Sequence, residues 1–373
     1  MTTSFPKLTH DEAVREVYRL TPQIRDIDDF LSPVNVRWLP YTMFSQPKNY
    51  RSKTVNTDEL GFRFTCVGDK ILKAADEYDE NTPVSLVFGG STAMGTGTTS
   101  DAHTLSSCLS QIREENWLNF GVRAYNATQE LILFMLHQHR FKKIEHVVIL
   151  SGMNSLVIEG LPEEFRSDHG QYYYSYEYPY YMSFYNLQQM QKEKNLLQRI
   201  VNALKFHEET ILTDEGIDTK ERIKRVADST ARALSQWKAL LAPYGASLTF
   251  VLQPLSTWTK DSMTPEEAEV NHAIDSCPNN FWRMFGNILG KEVYPQYVNA
   301  LRTKCEELGV PFYDLNALIR NSDFVNEYIF VDRLHFNDFG HREVSKIIDR
   351  LLPPSAASRK REDSPAQDFA TLP

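Results

Sequence analysis

The stretch PVSLVFGGSTAMGTG, residues 83–97, decides how the rest of the chain is read. Pro83 to Phe88 is a short apolar run, and Gly89-Gly90 ends it. A continuous apolar run bounded by turn residues marks a strand covered on both faces. Three kinds of loop can follow such a strand. A phosphate-cradling loop needs GxxxxGK[ST]. Gly90 to Gly95 supplies the spacing, but Thr96 stands where the lysine is required. A dinucleotide fingerprint needs GxGxxG. Gly95-Thr96-Gly97 begins it, Ser100 breaks it, and the run lies well past the strand. The third is a serine nucleophile on a tight turn, with Gly89 and Gly90 permitting the sharp backbone. This is a nucleophile-elbow arrangement with Ala93 in the last glycine place. Alone, it reads equally well as a Gly-Ser loop without chemistry.

Outward from this stretch, strands and helices alternate. Ala102 to Glu114 has helical spacing, with Leu105, Cys108, Leu109 and Ile112 on one face. Trp117 to Phe120 is a second strand run, ended by Gly121. Thr128 to Gln138 is an apolar helix. Glu145 to Leu150 is a third strand ending in Ser151-Gly152, and Ser247 to Leu252 a fourth ending in Gln253-Pro254. Val310 to Tyr313 is a weak fifth, and Phe339 to Leu352 a closing amphipathic helix. This alternation predicts an α/β fold: three layers, α/β/α, with a parallel, flavodoxin-like sheet. In such sheets ligands bind outside the carboxyl ends of the strands.

The domain plan follows. Residues 1–80 form an N-terminal extension, with a helix over Asp11–Leu20 capped by Thr9. Residues 81–352 are the α/β domain, with helical insertions at about 156–225 and 256–300. Residues 353–373, Pro/Ser-rich and polar, form a disordered tail. The first insertion holds QYYYSYEYPYYMSFY, residues 171–185. Its tyrosines fit equally an aromatic lid over a substrate or a local core or subunit contact.

Of the 373 residues, 42% are hydrophobic and 24% charged, the balance of a globular chain. Forty Lys+Arg against forty-nine Asp+Glu leave a net charge of −9, so nucleic acid is not expected as a partner. Cys66, Cys108, Cys277 and Cys305 show no metal-site spacing, and no metal or cofactor is expected. No signal-like start and no long apolar span are visible, so the expectation is a cytoplasmic protein with reduced thiols.

Candidate chemistry gathers at the strand ends. Asp332 and His335, in FVDRLHFNDFGHREV (330–344), are three apart, and i and i+3 side chains share one side of a turn. A carboxylate there can fix the imidazole tautomer and leave the other nitrogen as a base. Gly121 can present a backbone N–H, and Asn154 a side-chain amide, as oxyanion donors. Both residues are also common in plain turns.

Ser91, Gly121, Asn154 and Asp332-x-x-His335 follow one another in separate blocks. In this order the sequence resembles the SGNH (GDSL-like) hydrolase superfamily, over about residues 84–155 and 245–352. The resemblance implies Ser91 as nucleophile, His335 as base and Asp332 as its orienting acid. It implies the Ser91 N–H, Gly121 and Asn154 as the oxyanion hole. The chain departs from the family at Gly90, where Asp is frequent, at Ala124, where a second Gly is frequent, and at Ser155, where Asp is frequent.

The expected activity is a serine-dependent hydrolysis of carboxylic esters of a small molecule or sugar through an acyl-enzyme, with no cofactor. One alternative keeps the same residues in an acyltransferase or thioesterase-like enzyme of a biosynthetic pathway. Another is a non-catalytic binding module. His137 and His139, at i and i+2, do not share a helix face and are not expected to hold a metal. His103 is read as a helix-entry residue. His272 and His341 are read as structural or solvated, and Arg63 as a residue that pins the extension.

Overall fold

A computed structural model describes residues 5–32, 35–39, 41–160, 218–277 and 281–354. The tyrosine-rich segment 171–185 and the tail from 355 lie outside the described residues. Five strands form one parallel sheet: β5 (Val84–Gly89), β6 (Asn116–Gly121), β7 (Ile144–Ser151), β8 (Ser247–Leu252) and β9 (Phe312–Asp314). Their order is β6-β5-β7-β8-β9. The chain leaves β5 to one side for β6, then returns past it to β7. The topological switch point therefore falls at the carboxyl ends of β5 and β7, where an open parallel sheet places its crevice.

The apolar runs are continuous because both faces of the sheet are covered. Leu86 and Phe88 of β5 and Val147 and Ile149 of β7 join one core, with Phe134 of the helix Ala127–His137, Trp237 of Thr219–Leu241 and Leu301 of Val293–Leu308. The alternate residues Val87, Val148 and Leu150 join a second core on the opposite face. There they meet Leu105 and Leu109 of the helix Leu105–Arg113 and Val344 and Ile348 of Asp338–Leu351. Period-two alternation into two separate cores gives the three α/β/α layers.

Before the sheet, the helix His10–Leu20 starts at a Thr9–Glu12 capping box. Two short antiparallel hairpins follow, β1 (Arg37–Leu39) with β2 (Met43–Ser45) and β3 (Thr65–Val67) with β4 (Lys70–Leu72). Pairs this small depend on the body they pack against. Among the described residues, no helix is long and apolar enough to cross a membrane.

Candidate active site

Ser91 opens a one-turn helix, Ser91–Met94, directly after β5. One turn of helix has no cooperative stability of its own, so its surroundings must hold it. Gly121 permits part of this support. A Cβ on Gly121 would lie 2.2 Å from the Met94 nitrogen, so only glycine lets the turn rest on β6. On the other side, Thr92 Oγ1 donates to the Leu334 carbonyl at 3.1 Å and accepts from Gln253 Nε2 at 2.7 Å. Gln253 lies just past β8, and its backbone N–H donates to the Ser151 carbonyl at the end of β7.

The segment carrying Asp332 and His335 is a tight turn, not a helix. It is closed by a bridge between Phe330 and Phe336 and by the Val331 N–H donating to the His335 carbonyl at 2.9 Å. Asp332 Oδ1 accepts from the N–H groups of Leu334 and His335 at 2.7 and 2.8 Å. Its Oδ2 lies 2.5 Å from His335 Nδ1, and His335 Nε2 lies 2.6 Å from Ser91 Oγ. Burial alone would raise the Asp332 carboxyl, but the neighbouring imidazole and the two backbone N–H groups hold it below the ordinary carboxylate range. With an ionised carboxylate on Nδ1, that nitrogen carries the proton, and Nε2 accepts from the serine hydroxyl.

Asn154 sits in the helix Met153–Ile158 that follows β7, buried beside the nucleophile turn. Its Nδ2 donates one hydrogen to the Tyr125 carbonyl at 2.9 Å and lies against the bare face of Gly90. The second amide hydrogen is left for another acceptor. The expectation for Gly121 needs correction. Its N–H donates to the Asn119 side chain at 3.0 Å, and its carbonyl accepts from Gln46 Nε2 at 3.0 Å. Gly121 supports the nucleophile turn and has no N–H to offer a substrate.

Ala124, three residues further on, is the position that the reading of the sequence missed. It is buried, has a φ of +60°, and its N–H has no partner among the described residues. The next residue, Tyr125, supplies the carbonyl that holds Asn154. The signal was present in the sequence: a position where a second glycine is frequent is one where a left-handed backbone is expected, and Ala124 adopts it at a cost.

Four other histidines, His103, His137, His272 and His341, stand apart from this cluster. His103 is half-exposed, 3.6 Å from Asp338. His137 packs on Phe62 and Phe120, and burial pushes its imidazole down to about 4. His272 stacks on Phe5 and hydrogen-bonds the Pro6 carbonyl. His341 is fully buried against Phe336. No group of three His, Cys, Asp or Glu that could hold a metal ion occurs among the described residues.

No protein-family model and no curated protein matches the sequence. Solved structures do match. A member of the lipolytic protein G-D-S-L family from Veillonella parvula is 13% identical over 72% of this chain and 98% of its own, with a TM-score of 0.39. The native M. smegmatis aryl esterase is 13% identical over 72% of this chain and all of its own, with a TM-score of 0.38. The acetyl xylan esterase AlAXEase is 12% identical over 72% and 100%, with a TM-score of 0.37. The chain resembles the SGNH hydrolases.

Proposed function

We propose that this protein is a serine-dependent hydrolase of carboxylic esters acting through an acyl-enzyme. The observation that carries the reading is the line of contacts Ser91 Oγ to His335 Nε2 at 2.6 Å and His335 Nδ1 to Asp332 Oδ2 at 2.5 Å. Both lie within hydrogen-bond reach, the first requirement for a nucleophile and its base.

In this reading His335 Nε2 takes the proton of Ser91 as Oγ attacks the ester carbonyl carbon. The carbonyl electron pair moves onto oxygen, and the ionised Asp332 stabilises the imidazolium. The Ser91 N–H, at the first turn of a helix, has no intrahelical acceptor and faces the developing oxyanion. The Ala124 N–H and the second Asn154 Nδ2 hydrogen complete the hole, and loss of one such donor raises the barrier by about 2.7–4 kcal/mol. The tetrahedral adduct collapses, the alcohol leaves with the proton from His335, and water activated by the same base cleaves the acyl-Ser91 ester.

The test is intact mass after incubation with a fluorophosphonate. One adduct on the wild type, absent in Ser91→Ala and much slowed in His335→Ala, is expected. No adduct on folded wild type overturns the reading. Acetyl esters of phenols and sugars are the substrates to try next. Release of free acid, not an acylated acceptor, is the expected product.

A further inference from the structure

A buried cation lies behind the nucleophile turn and is no part of the chemistry just described. Arg63 belongs to the segment preceding the sheet, and its side chain is fully buried. Burying a guanidinium costs several kcal/mol unless every donor is matched. Here each arm is. Nε donates to Asp101 Oδ1 at 2.8 Å. Nη1 donates to the carbonyl of Gly95 at 2.8 Å and reaches that of Met94 at 3.4 Å. Nη2 donates to the Thr54 carbonyl at 2.7 Å and to Thr98 Oγ1 at 3.0 Å.

Three of these five acceptors lie within Met94–Thr98, where the Ser91 turn ends. The last carbonyls of a helix lack intrahelical donors, and in a one-turn helix they make up much of the element. From a planar fork that a lysine cannot copy, Arg63 supplies a donor to the Gly95 carbonyl at the cap and a longer one to that of Met94, which Asn119 Nδ2 also meets at 3.2 Å. Asp101 fixes the fork, and its carboxylate also accepts from the N–H and Nδ2 of Asn56 at 3.2 and 2.7 Å. The loop that presents Arg63 is itself pinned: Asp58 Oδ1 accepts from the N–H groups of Leu60, Gly61 and Phe62 at 2.9 Å each. Gln23, earlier in the same segment, adds a bond to the Gly97 carbonyl at 2.9 Å.

We infer that Arg63 is a positioning residue for Ser91: by holding the Met94 and Gly95 carbonyls it sets the angle at which the turn presents the serine to His335. The N-terminal segment is then part of the catalytic unit. The inference rests on the proposed role of Ser91. Its physical content is that misplacing reacting groups by about 1 Å costs on the order of 100-fold in rate.

The experiment compares wild type, Arg63→Lys, Asp101→Asn and Arg113→Lys. Arg113 is the control, a nearly buried arginine paired with Glu115 and Asp349 at the amino-terminal end of β6, the end of the sheet opposite the Ser91 turn. The readouts are the fluorophosphonate adduct rate, kcat and KM on p-nitrophenyl acetate, and the thermal midpoint. Arg63→Lys is expected to lose about tenfold or more in adduct rate and kcat with KM within about twofold, whereas Arg113→Lys lowers the midpoint and keeps its rate. A wild-type rate in Arg63→Lys, or an equal loss in Arg113→Lys, overturns the inference. If Arg63→Lys does not fold, Asp101→Asn decides. A loss of about threefold or more in the folded protein supports the inference, and an unchanged rate overturns it. Absence of any wild-type adduct removes the Ser91 reading and the inference with it; a wild-type adduct with no Arg63 effect removes the inference alone.

Discussion

Thr92 and Leu334 are 242 positions apart in the chain, yet the Thr92 hydroxyl donates to the Leu334 carbonyl at 3.1 Å. Each is the immediate neighbour of a residue in the candidate site, Thr92 of Ser91 and Leu334 of His335. The bond ties the two halves of the site together one residue away from the chemistry. Gln253 Nε2 completes it by donating to the same hydroxyl at 2.7 Å.

Thr92→Val is close in shape but removes this hydroxyl. It leaves Gln253 Nε2 without its acceptor, at about 1–3 kcal/mol of stability for a buried unpaired donor. It also frees the His335 turn from the serine turn. The expected outcome is a lower thermal midpoint together with a fall in kcat, and near-complete recovery in Thr92→Ser. A variant that loses stability and keeps wild-type kcat would show that the bond holds the fold without aligning Ser91 and His335.

Asp332→Asn keeps the shape of the acid and removes its charge. The amide can donate to Nδ1, favouring the tautomer in which Nε2 carries the proton and cannot accept one. A fall in kcat on the order of 10⁴-fold is expected, as in other triads of this kind. The matching control is the midpoint at pH 7, because the Leu334 and His335 N–H groups keep an oxygen acceptor. A loss of only a few fold would mean that Asp332 shapes the turn and does not orient the base.

Much of this was legible in the sequence, for physical reasons. The five apolar runs could be read as strands because a sheet covered on both faces needs uninterrupted hydrophobic residues. Asp332 and His335 could be paired because their contact is local. Gly121 was misread because a glycine at a strand end looks the same whether it offers its N–H or merely its missing Cβ. What separated the two was a bond to Asn119 two residues back, and strand geometry has no rule that predicts it. Arg63 could be noticed but not interpreted, since its acceptors at residues 94–98 come from a different part of the chain.

Gly121, the last residue of β6, and Ala124 beyond it give opposite predictions. Gly121→Ala places a Cβ 2.2 Å from the Met94 nitrogen, so the serine turn must shift. Stability and fluorophosphonate reactivity should fall together. Ala124→Gly acts at a φ of +60°, where a Cβ costs about 1–2 kcal/mol. The usual Ala-to-Gly loss of roughly 0.5–1 kcal/mol should therefore vanish or reverse, with activity retained. Midpoints of the two variants, measured with the adduct rate, check both. A large loss of stability in Ala124→Gly would contradict the backbone strain assigned to it.

His341 contributes to the acid limb of stability, beside His137, whose imidazole burial also pushes down. Its ring is buried, and burial with the nearby Arg63 charge pushes it down to about 3 from an ordinary 6.5. The folded state therefore stays neutral where the unfolded state takes up a proton. Stability is lost as pH falls below about 6.5, by up to about 1.4 kcal/mol per unit until the folded value is reached. His341→Leu should make the fall of the midpoint between pH 7 and pH 5 shallower. An equally steep decline in the variant would assign the acid limb to other groups.

Glu130 acts in the opposite direction. It is buried in the helix Ala127–His137, where it accepts from Ser151 Oγ at 2.5 Å, and burial pushes its carboxyl up to about 8 from 4.5. Below about pH 4.5 both states hold the proton, and nothing changes. Between 4.5 and 8 the unfolded chain releases the proton and the folded chain keeps it, so stability falls by up to about 1.4 kcal/mol per pH unit as pH rises. Above 8 the penalty is complete and constant. Glu130→Gln is neutral at every pH, and its carbonyl oxygen can still accept from Ser151. Its midpoint should match the wild type near pH 4.5, exceed it by a margin that widens to pH 8, and then run parallel. Thermal midpoints at pH 5, 6.5, 8 and 9 test this. A margin that does not change with pH would mean that Glu130 titrates near its ordinary value, and that the Ser151 contact, not desolvation, dominates its environment.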